Sequence, residues 1–149
     1  MGNKFTAICV LAMSLISAAS WADAPAGRYS ITNGIVRDNR TGLSWQQSYT
    51  TKVSAADAVS YCSSQSGGWR LPKIKELLTL YDFSYSGADN VYLDSLAFGG
   101  VAYADSVFWS STADVTHSAY VWQAIFGQWI INVGSIPVDG ALASARCVR

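Results

Sequence analysis

The side chains that could carry out chemistry in this sequence are few. It contains one histidine, His117, and one glutamate, Glu76, and its other acids are scattered aspartates. Nucleophilic catalysis needs a base beside the nucleophile, and general acid–base catalysis needs two placed ionisable groups. His117 lies in a polar turn and Glu76 lies in a segment with a helical pattern, far apart in the chain. The sequence therefore predicts that the protein is not an enzyme.

Metal binding is the second chemistry to consider. No group of cysteines and histidines has the spacing of a zinc site, so we expect no metal and no other cofactor. Calcium stays open as an alternative, because this ion prefers oxygen ligands from flexible loops. The side chains that could supply oxygen ligands for calcium do not follow the spacing of a known calcium-binding loop: Asp82, Asp89, Asn90, Asp94 and Asp105.

The N-terminus indicates export. Residues 1–22 contain a charged start at Lys4, an apolar run and then small residues, which predicts a signal peptide cleaved after Ala22. The apolar run is shorter than the ~20 residues that cross a bilayer, so we expect no membrane span. The product would be periplasmic, or secreted to the cell surface.

Removal of the signal peptide leaves two cysteines, Cys62 and Cys147, because Cys9 is lost with it. An even pair in an oxidising compartment usually forms a disulfide. Both residues also fall at core-facing positions of their predicted elements. The sequence thus predicts a Cys62–Cys147 disulfide, with two free buried thiols as the alternative.

Length and charge limit the remaining possibilities. Residues 23–149 number 127 (149 minus 22), which is enough for a single domain with a core. Loss of Lys4 from the ten basic residues leaves nine against ten acidic ones, a net charge of −1. Nucleic-acid-binding domains carry a basic footprint, so we expect no nucleic-acid partner.

The first part of the domain is predicted to be β structure followed by two helices. Residues 29–46 form a meander with turns at Asn33-Gly34 and at residues 38–42. Ser54 is a candidate N-cap for the first helix, and Pro72 begins the second. The apolar positions with helical spacing are Ala55, Ala58, Val59 and Cys62, then Ile74, Leu77, Leu78 and Tyr81.

The second part is predicted to be a long irregular segment, residues 82–106, followed by strands. The strands are expected at residues 107–111, 119–126, 128–133 and 143–148. Strands, two helices, a long loop and further strands together make an α+β protein, and we find no internal repeat.

Five segments in this order resemble a known family: DNRTGLSW at 38–45, AVSYC at 58–62, WRLPKIKEL at 69–77, FWSST at 108–112 and RCVR at 146–149. The chain resembles the C-terminal domain of the Legionella collagen-like protein, a family of unknown function, over nearly the whole mature sequence. The resemblance implies a C-type-lectin-like fold, with two helices packed on a mixed or antiparallel sheet and long irregular loops. It also implies that the N- and C-terminal strands are adjacent in one sheet.

The motif residues also have a structural interpretation. Trp45, Trp69 and Trp109 are expected in the core, each with a partner for its indole N–H. Arg70 and Glu76 are candidates for a structural ion pair. The formylglycine-generating relatives of the fold use active-site thiols, and that activity is not carried over because the disulfide uses both mature cysteines.

Aromatic side chains are abundant near the loops and late strands, and rigid amphipathic rings suit recognition of sugars or proteins. Trp122 and Trp129 could equally be core residues. The hypothesis is a recessed ligand-binding surface near the second sheet, formed by Tyr103, Asp105, His117, Tyr120, Gln128 and Trp129.

These observations predict an exported ligand-binding or adhesion module whose partner is a glycan or a protein at the cell surface. The resembled family is linked with attachment to acidic polysaccharides, but the near-zero net charge disfavours a polyanion. A structural subunit of a cell-surface complex is the alternative, and an enzyme of unrecognised chemistry is a third. A subunit of a complex would present a large apolar surface patch.

Overall fold

The structure is a computed structural model that describes residues 25–84, 90–127 and 132–149. The expected signal peptide at residues 1–22 lies outside the described residues. The described part is a mixed α+β fold with two sheets.

The N-terminal meander is confirmed as a three-stranded antiparallel sheet of β1 (Tyr29–Thr32), β2 (Ile35–Asp38) and β3 (Ser44–Gln46). Asn33 and Gly34, which join the first two strands, both have positive φ, at 50° and 74°. This is the conformation of the tight hairpin turn that an Asn-Gly pair favours.

The first helix, α1 (Ala55–Ser63), is also confirmed. The Ser54 hydroxyl accepts a hydrogen bond from the Asp57 N–H at 3.1 Å, which satisfies one of the free donors of the first turn. Ala58 and Cys62 are fully buried, as their spacing predicts, but Val59, which the same spacing placed toward the core, is 50% exposed.

The second helix, α2 (Ile74–Leu78), is shorter than predicted, and Tyr81 lies beyond it. The N–H groups of Leu80 and Tyr81 bond to the carbonyls of Leu77 and Leu78, three residues back rather than four. The chain therefore tightens after Leu78, and Tyr81 is still buried although it is not helical.

The prediction of an irregular segment at residues 82–106 was wrong in part. It contains a short helix, α3 (Ser95–Phe98), and a 3₁₀ turn at Tyr103–Asp105. Asp94 caps α3, because its Oδ1 accepts the Ala97 N–H at 2.7 Å. Helical periodicity cannot be read from four residues, so the Asp94 cap was the one usable signal.

The second sheet has five strands in the order β4-β8-β5-β6-β7, and it is mixed because β5 and β8 run parallel. The described part of β7 begins at Asn132 and ends later than predicted, and β8 is shorter than predicted. β4 was not predicted. The strands are β4 (Thr50–Val53), β5 (Val107–Ala113), β6 (Tyr120–Ile125), β7 (Asn132–Pro137) and β8 (Ala143–Ala145).

Both faces of this sheet are covered. Successive residues of a strand point to opposite faces, and Phe108 and Trp109 in β5 belong to separate core clusters. The Phe108 cluster contains Leu77 of α2, whereas the Trp109 cluster contains Ala58 and Cys62 of α1. The two helices thus pack on opposite faces of β5.

The three tryptophans expected in the core are buried. The Trp109 indole N–H donates to the Val53 carbonyl at 2.8 Å, as expected. The expectation fails for Trp45, whose Nε1 has no hydrogen-bond partner among residues 25–84, 90–127 and 132–149.

The C-terminal residues connect the two sheets. The disulfide between Cys62 and Cys147 is confirmed, and it joins α1 to the segment after β8. The backbone of Ser44 exchanges two hydrogen bonds of 2.9 Å with Arg149, and Arg70 exchanges two of the same length with Val148. The expectation that the first and last strands are adjacent in one sheet was wrong, because β1 belongs to the three-stranded sheet whereas β8 pairs with β4 and β5.

Arg146 is the least expected core residue, with only 1% of its surface exposed. Its guanidinium donates to the carbonyls of Gln46 and Gln47. The guanidinium carbon also lies 5.4, 4.9 and 5.6 Å from the ring centres of Tyr49, Phe98 and Phe108. It forms no ion pair with any described residue, so carbonyls and aromatic faces alone compensate its charge.

Candidate functional site

The six residues of the predicted binding surface do not form one described site. Tyr103 and Asp105 lie just before the start of β5. His117 lies beyond its other end, in the turn to β6, and Tyr120 is the first residue of β6. Seven residues of β5 separate the two pairs, which is about 20 Å at 3.3 Å per residue. Gln128 and Trp129 lie outside the described residues. Trp122, weighed as a core residue, is half-buried.

His117 and Tyr120 belong to a polar network around Asp114. The backbone N–H of Thr116 donates to Asp114 at 2.8 Å and its hydroxyl donates at 2.7 Å. These bonds, with one from Ser135, hold the pKa of Asp114 far below its ordinary value. The His117 ring packs 5.2 Å from that of Tyr120.

This network does not have the geometry of a catalytic relay. The Thr116 hydroxyl lies 2.8 Å and the Asp114 carboxylate 3.3 Å from the same ring nitrogen of His117, Nδ1. A relay needs the nucleophile at one nitrogen and the carboxylate at the other. The arrangement therefore fixes the turn, and the imidazole, 63% exposed, remains at the surface.

The other end of β5 holds a polar cavity, which we call the β8 cavity, with a volume of about 250 Å³. It crosses one face of the five-stranded sheet and includes Asp105 of the predicted surface. Its lining includes Lys52, Asp105, Val107, Gln123, Leu142 and Ser144.

Backbone geometry positions the cavity residues. Lys52 has a φ of 54°, a left-handed conformation that a lysine rarely adopts, at an irregularity in the pairing of β4 with β8. Strained backbone of this kind is concentrated at functional sites. The Ser144 hydroxyl donates to the Asp105 carbonyl at 2.7 Å, which ties the 3₁₀ turn to β8.

Gln123 supplies the most informative feature of the cavity. Only 3% of its surface is exposed, and its Nε2 has no hydrogen-bond partner within the described part of the chain. An unsatisfied buried amide costs about 1–3 kcal/mol, so such groups usually have a structural or functional reason. This amide belongs to a side chain in the wall of the β8 cavity.

Lys52 and Asp105 carry opposite charges at this cavity. The ion pairs found among the described residues are Arg28 with Asp38, Arg70 with Glu76 and His117 with Asp114, so Lys52 and Asp105 do not neutralise each other. The lining therefore combines a lysine, an aspartate and a glutamine with the apolar residues Val107 and Leu142.

The acids considered as calcium ligands are dispersed. Asp94 caps α3, and Asp82 accepts two hydrogen bonds from Ser84. In the residues that the structure describes, no group of three or more His, Cys, Asp or Glu side chains could hold a metal ion. Asp89 lies outside them.

The ion pair between Arg70 and Glu76 is structural and bidentate, with distances of 2.8 and 2.7 Å. The Glu76 carboxylate also accepts the Lys73 N–H at 2.8 Å, at the start of α2. The Arg70 guanidinium holds the pKa of Glu76 below its ordinary value of 4.5.

We expect Glu76→Gln to lower the free energy of unfolding at pH 7 by about 0.5–1 kcal/mol, because the pair is partly exposed to solvent. The folded pKa of Glu76 is lowered, so its contribution is present above pH 4.5 and is lost as the pH falls through the folded value. Urea unfolding of the wild type and the variant, at pH 7 and at about pH 2.5–3, measures how the stability difference depends on pH. An equal deficit at both pH values would contradict an ionic origin.

A comparison with models of known protein families shows which family the chain belongs to. The model of the Lcl C-terminal domain matches residues 34–149. The chain belongs to the Lcl C-terminal domain family. No curated protein and no solved structure matches the chain.

The Lcl C-terminal domain motifs of this chain fall mainly on structural residues. Trp45, Trp69 and Trp109 fill the core, and the terminal RCVR segment contributes the buried Arg146 and the disulfide. Among the described residues, no helix is long and apolar enough to cross a membrane.

Sequence reasoning missed Lys52, Gln123 and Ser144 as site residues of this Lcl C-terminal domain. They come from β4, β6 and β8, which meet only through the strand order of the sheet. The one available signal was Gln123, a polar residue inside an apolar strand.

Proposed function

We propose that the protein is an exported ligand-binding module, without a catalytic step of its own, that takes a carbohydrate into the β8 cavity. The observation that carries this proposal is the buried, unpartnered amide of Gln123 in a wall shared with Asp105 and Lys52. A ligand hydroxyl would give that amide the acceptor it lacks.

The chemistry of the wall suits a polyhydroxy ligand. A sugar hydroxyl both donates and accepts hydrogen bonds, so it can satisfy the Asp105 carboxylate and the Lys52 ammonium together. Val107 and Leu142 supply apolar surface for the C–H groups of the ring.

The size of the cavity limits the ligand. Pockets for drug-sized molecules have volumes of roughly 300–1,000 Å³, and the β8 cavity has about 250 Å³. It therefore suits a single sugar ring, such as the end of a glycan chain.

The proposed setting is outside the cytoplasm, where disulfides such as Cys62–Cys147 persist. We also propose the C-type-lectin-like class for the fold. Two sheets, helices on both faces of the larger one and a long excursion with little regular structure are compatible with that class.

A glycan array on residues 23–149, run with and without a chelator, identifies the ligand and tests for calcium. With that glycan, Asp105→Asn is expected to weaken binding by about 10- to 100-fold, because hydrogen bonds to a charged group contribute about 1.5–3 kcal/mol. Isothermal titration calorimetry measures the affinity.

The matched control is Asp139→Asn, which removes the same charge from an exposed turn. Equal affinities of the Asp105 variant and the control would refute the β8 cavity as the binding site. Binding that is abolished by the chelator would instead support calcium-dependent recognition.

A further inference from the structure

A second cavity lies beside the three-stranded sheet and shares no lining residue with the β8 cavity. Its volume is about 310 Å³. We call it the arginine cavity, because two guanidinium groups line it. The residues used below are Arg28, Arg40, Thr41, Thr79, Tyr81 and Phe83.

One of the two guanidinium groups is already neutralised. The Arg28 side chain is only 9% exposed, and its Nη2 lies 3.3 Å from the fully buried carboxylate of Asp38. The same Nη2 also donates to the Thr79 carbonyl. The Nε of Arg28 has no acceptor among the residues described, so one buried donor of this cation is unsatisfied.

The second guanidinium is available. Arg40 is exposed, and it is the backbone N–H of Arg40, not its side chain, that bonds to Asp38, at 2.9 Å. Arg40 forms no ion pair within residues 25–84, 90–127 and 132–149. Arg28 is therefore paired with Asp38, whereas the guanidinium of Arg40 has no such partner there.

The opposite wall is aromatic. Phe83 is 66% exposed although it is a large apolar residue, and its ring rests 5.0 Å from that of Tyr81 at an angle of 35°. An exposed ring supported from behind by a second ring offers a rigid flat surface for an apolar group.

We propose that the arginine cavity binds a monoanionic carboxylate that carries an apolar, preferably aromatic, group. The Arg40 guanidinium would hold the carboxylate through paired N–H donors, and Phe83 would stack on the attached group. One guanidinium without an ion-pair partner matches a singly charged carboxylate. Both a free carboxylic acid and the C-terminus of a polypeptide have this chemistry.

The test uses 3-phenylpropionate as the probe, with the mature protein and detection by calorimetry or NMR titration. We expect 3-phenylpropionate to bind at least about tenfold more tightly than its neutral amide and than acetate, because each of these lacks one of the two recognised groups. The same loss is expected for the Arg40→Gln variant.

Arg37→Gln is the matched control, since it removes one exposed arginine from β2 that does not line the cavity. Circular dichroism verifies that both variants fold. A peptide ending in phenylalanine, compared with its C-terminal amide, distinguishes the sources: if the free peptide binds more tightly than phenylpropionate, the polypeptide C-terminus is the favoured ligand.

Three results would overturn the proposal: no saturable binding of the probe, equal binding of acid and amide, or equal losses in the Arg37 and Arg40 variants. The test is independent of the carbohydrate proposal, because Asp105→Asn is expected to leave the binding of 3-phenylpropionate unchanged.

Discussion

Truncation of Arg146 to alanine is expected to lower the free energy of unfolding by about 3–5 kcal/mol. Two effects add, and relief of the desolvation cost of the buried cation offsets part of their sum. Removal of a large buried side chain leaves a cavity, which for comparable core truncations costs about 2–5 kcal/mol. The carbonyls of Gln46 and Gln47 also lose their donor, and an unsatisfied buried acceptor costs about 1–3 kcal/mol.

A methionine variant separates these effects. Arg146→Met keeps most of the volume but donates no hydrogen bond and has no charge for the rings of Tyr49, Phe98 and Phe108. We expect this variant to lower the free energy of unfolding by about 1–3 kcal/mol. Urea unfolding at pH 7 measures both the methionine and the alanine variants. Burial lowers the pKa of Arg146 to about 10, so the side chain is still charged at that pH.

The opposite outcome has a clear physical meaning. Burial of a cation carries a desolvation cost, and replacement of buried charges by apolar residues sometimes stabilises a protein. If Arg146→Met proved as stable as the wild type, the desolvation cost would equal or exceed the contribution of the two carbonyls and three rings.

Loss of the disulfide is expected to have an effect of similar size. Cys62 and Cys147 are 85 residues apart, so the bond closes a long loop in the unfolded chain. In the chain-entropy description, a loop of this length corresponds to about 4–5 kcal/mol. The double variant Cys62→Ala/Cys147→Ala is therefore expected to lose about that much stability.

Urea unfolding of the oxidised wild type and the double variant measures this difference. The free energy of unfolding should fall more steeply with urea concentration in the variant, because an unfolded chain without the crosslink exposes more surface. Mass spectrometry of the purified protein provides the control by establishing that the bond is formed. Two free thiols in that product, or equal stabilities, would contradict the prediction.

Local signals in the sequence predicted the elements that depend on local physics. The Asn33-Gly34 turn, the Ser54 cap and the apolar spacing that buries Ala58 and Cys62 each lie within a few residues of one another. The pairing of the two cysteines followed from their number once Cys9 was assigned to the expected signal peptide.

Features that depend on distant residues were not predictable in this way. Arginines are rarely fully buried, and nothing near Arg146 in the sequence indicates the three rings around it. The β8 cavity likewise joins Lys52, Gln123 and Ser144, which come together only because β8 inserts between β4 and β5. The predicted site residues Asp105 and His117 were placed on one surface although the predicted strand at residues 107–111 lies between them, and the length of β5 keeps them apart.

The alternation of Phe108 and Trp109 has a consequence for how this gene can change. Since the two neighbours fill separate layers, a one-codon insertion or deletion just before Phe108 would exchange their sides and place each ring in a space shaped for the other. Length variation is therefore compatible with the exposed hairpin around Val115, but not with β5.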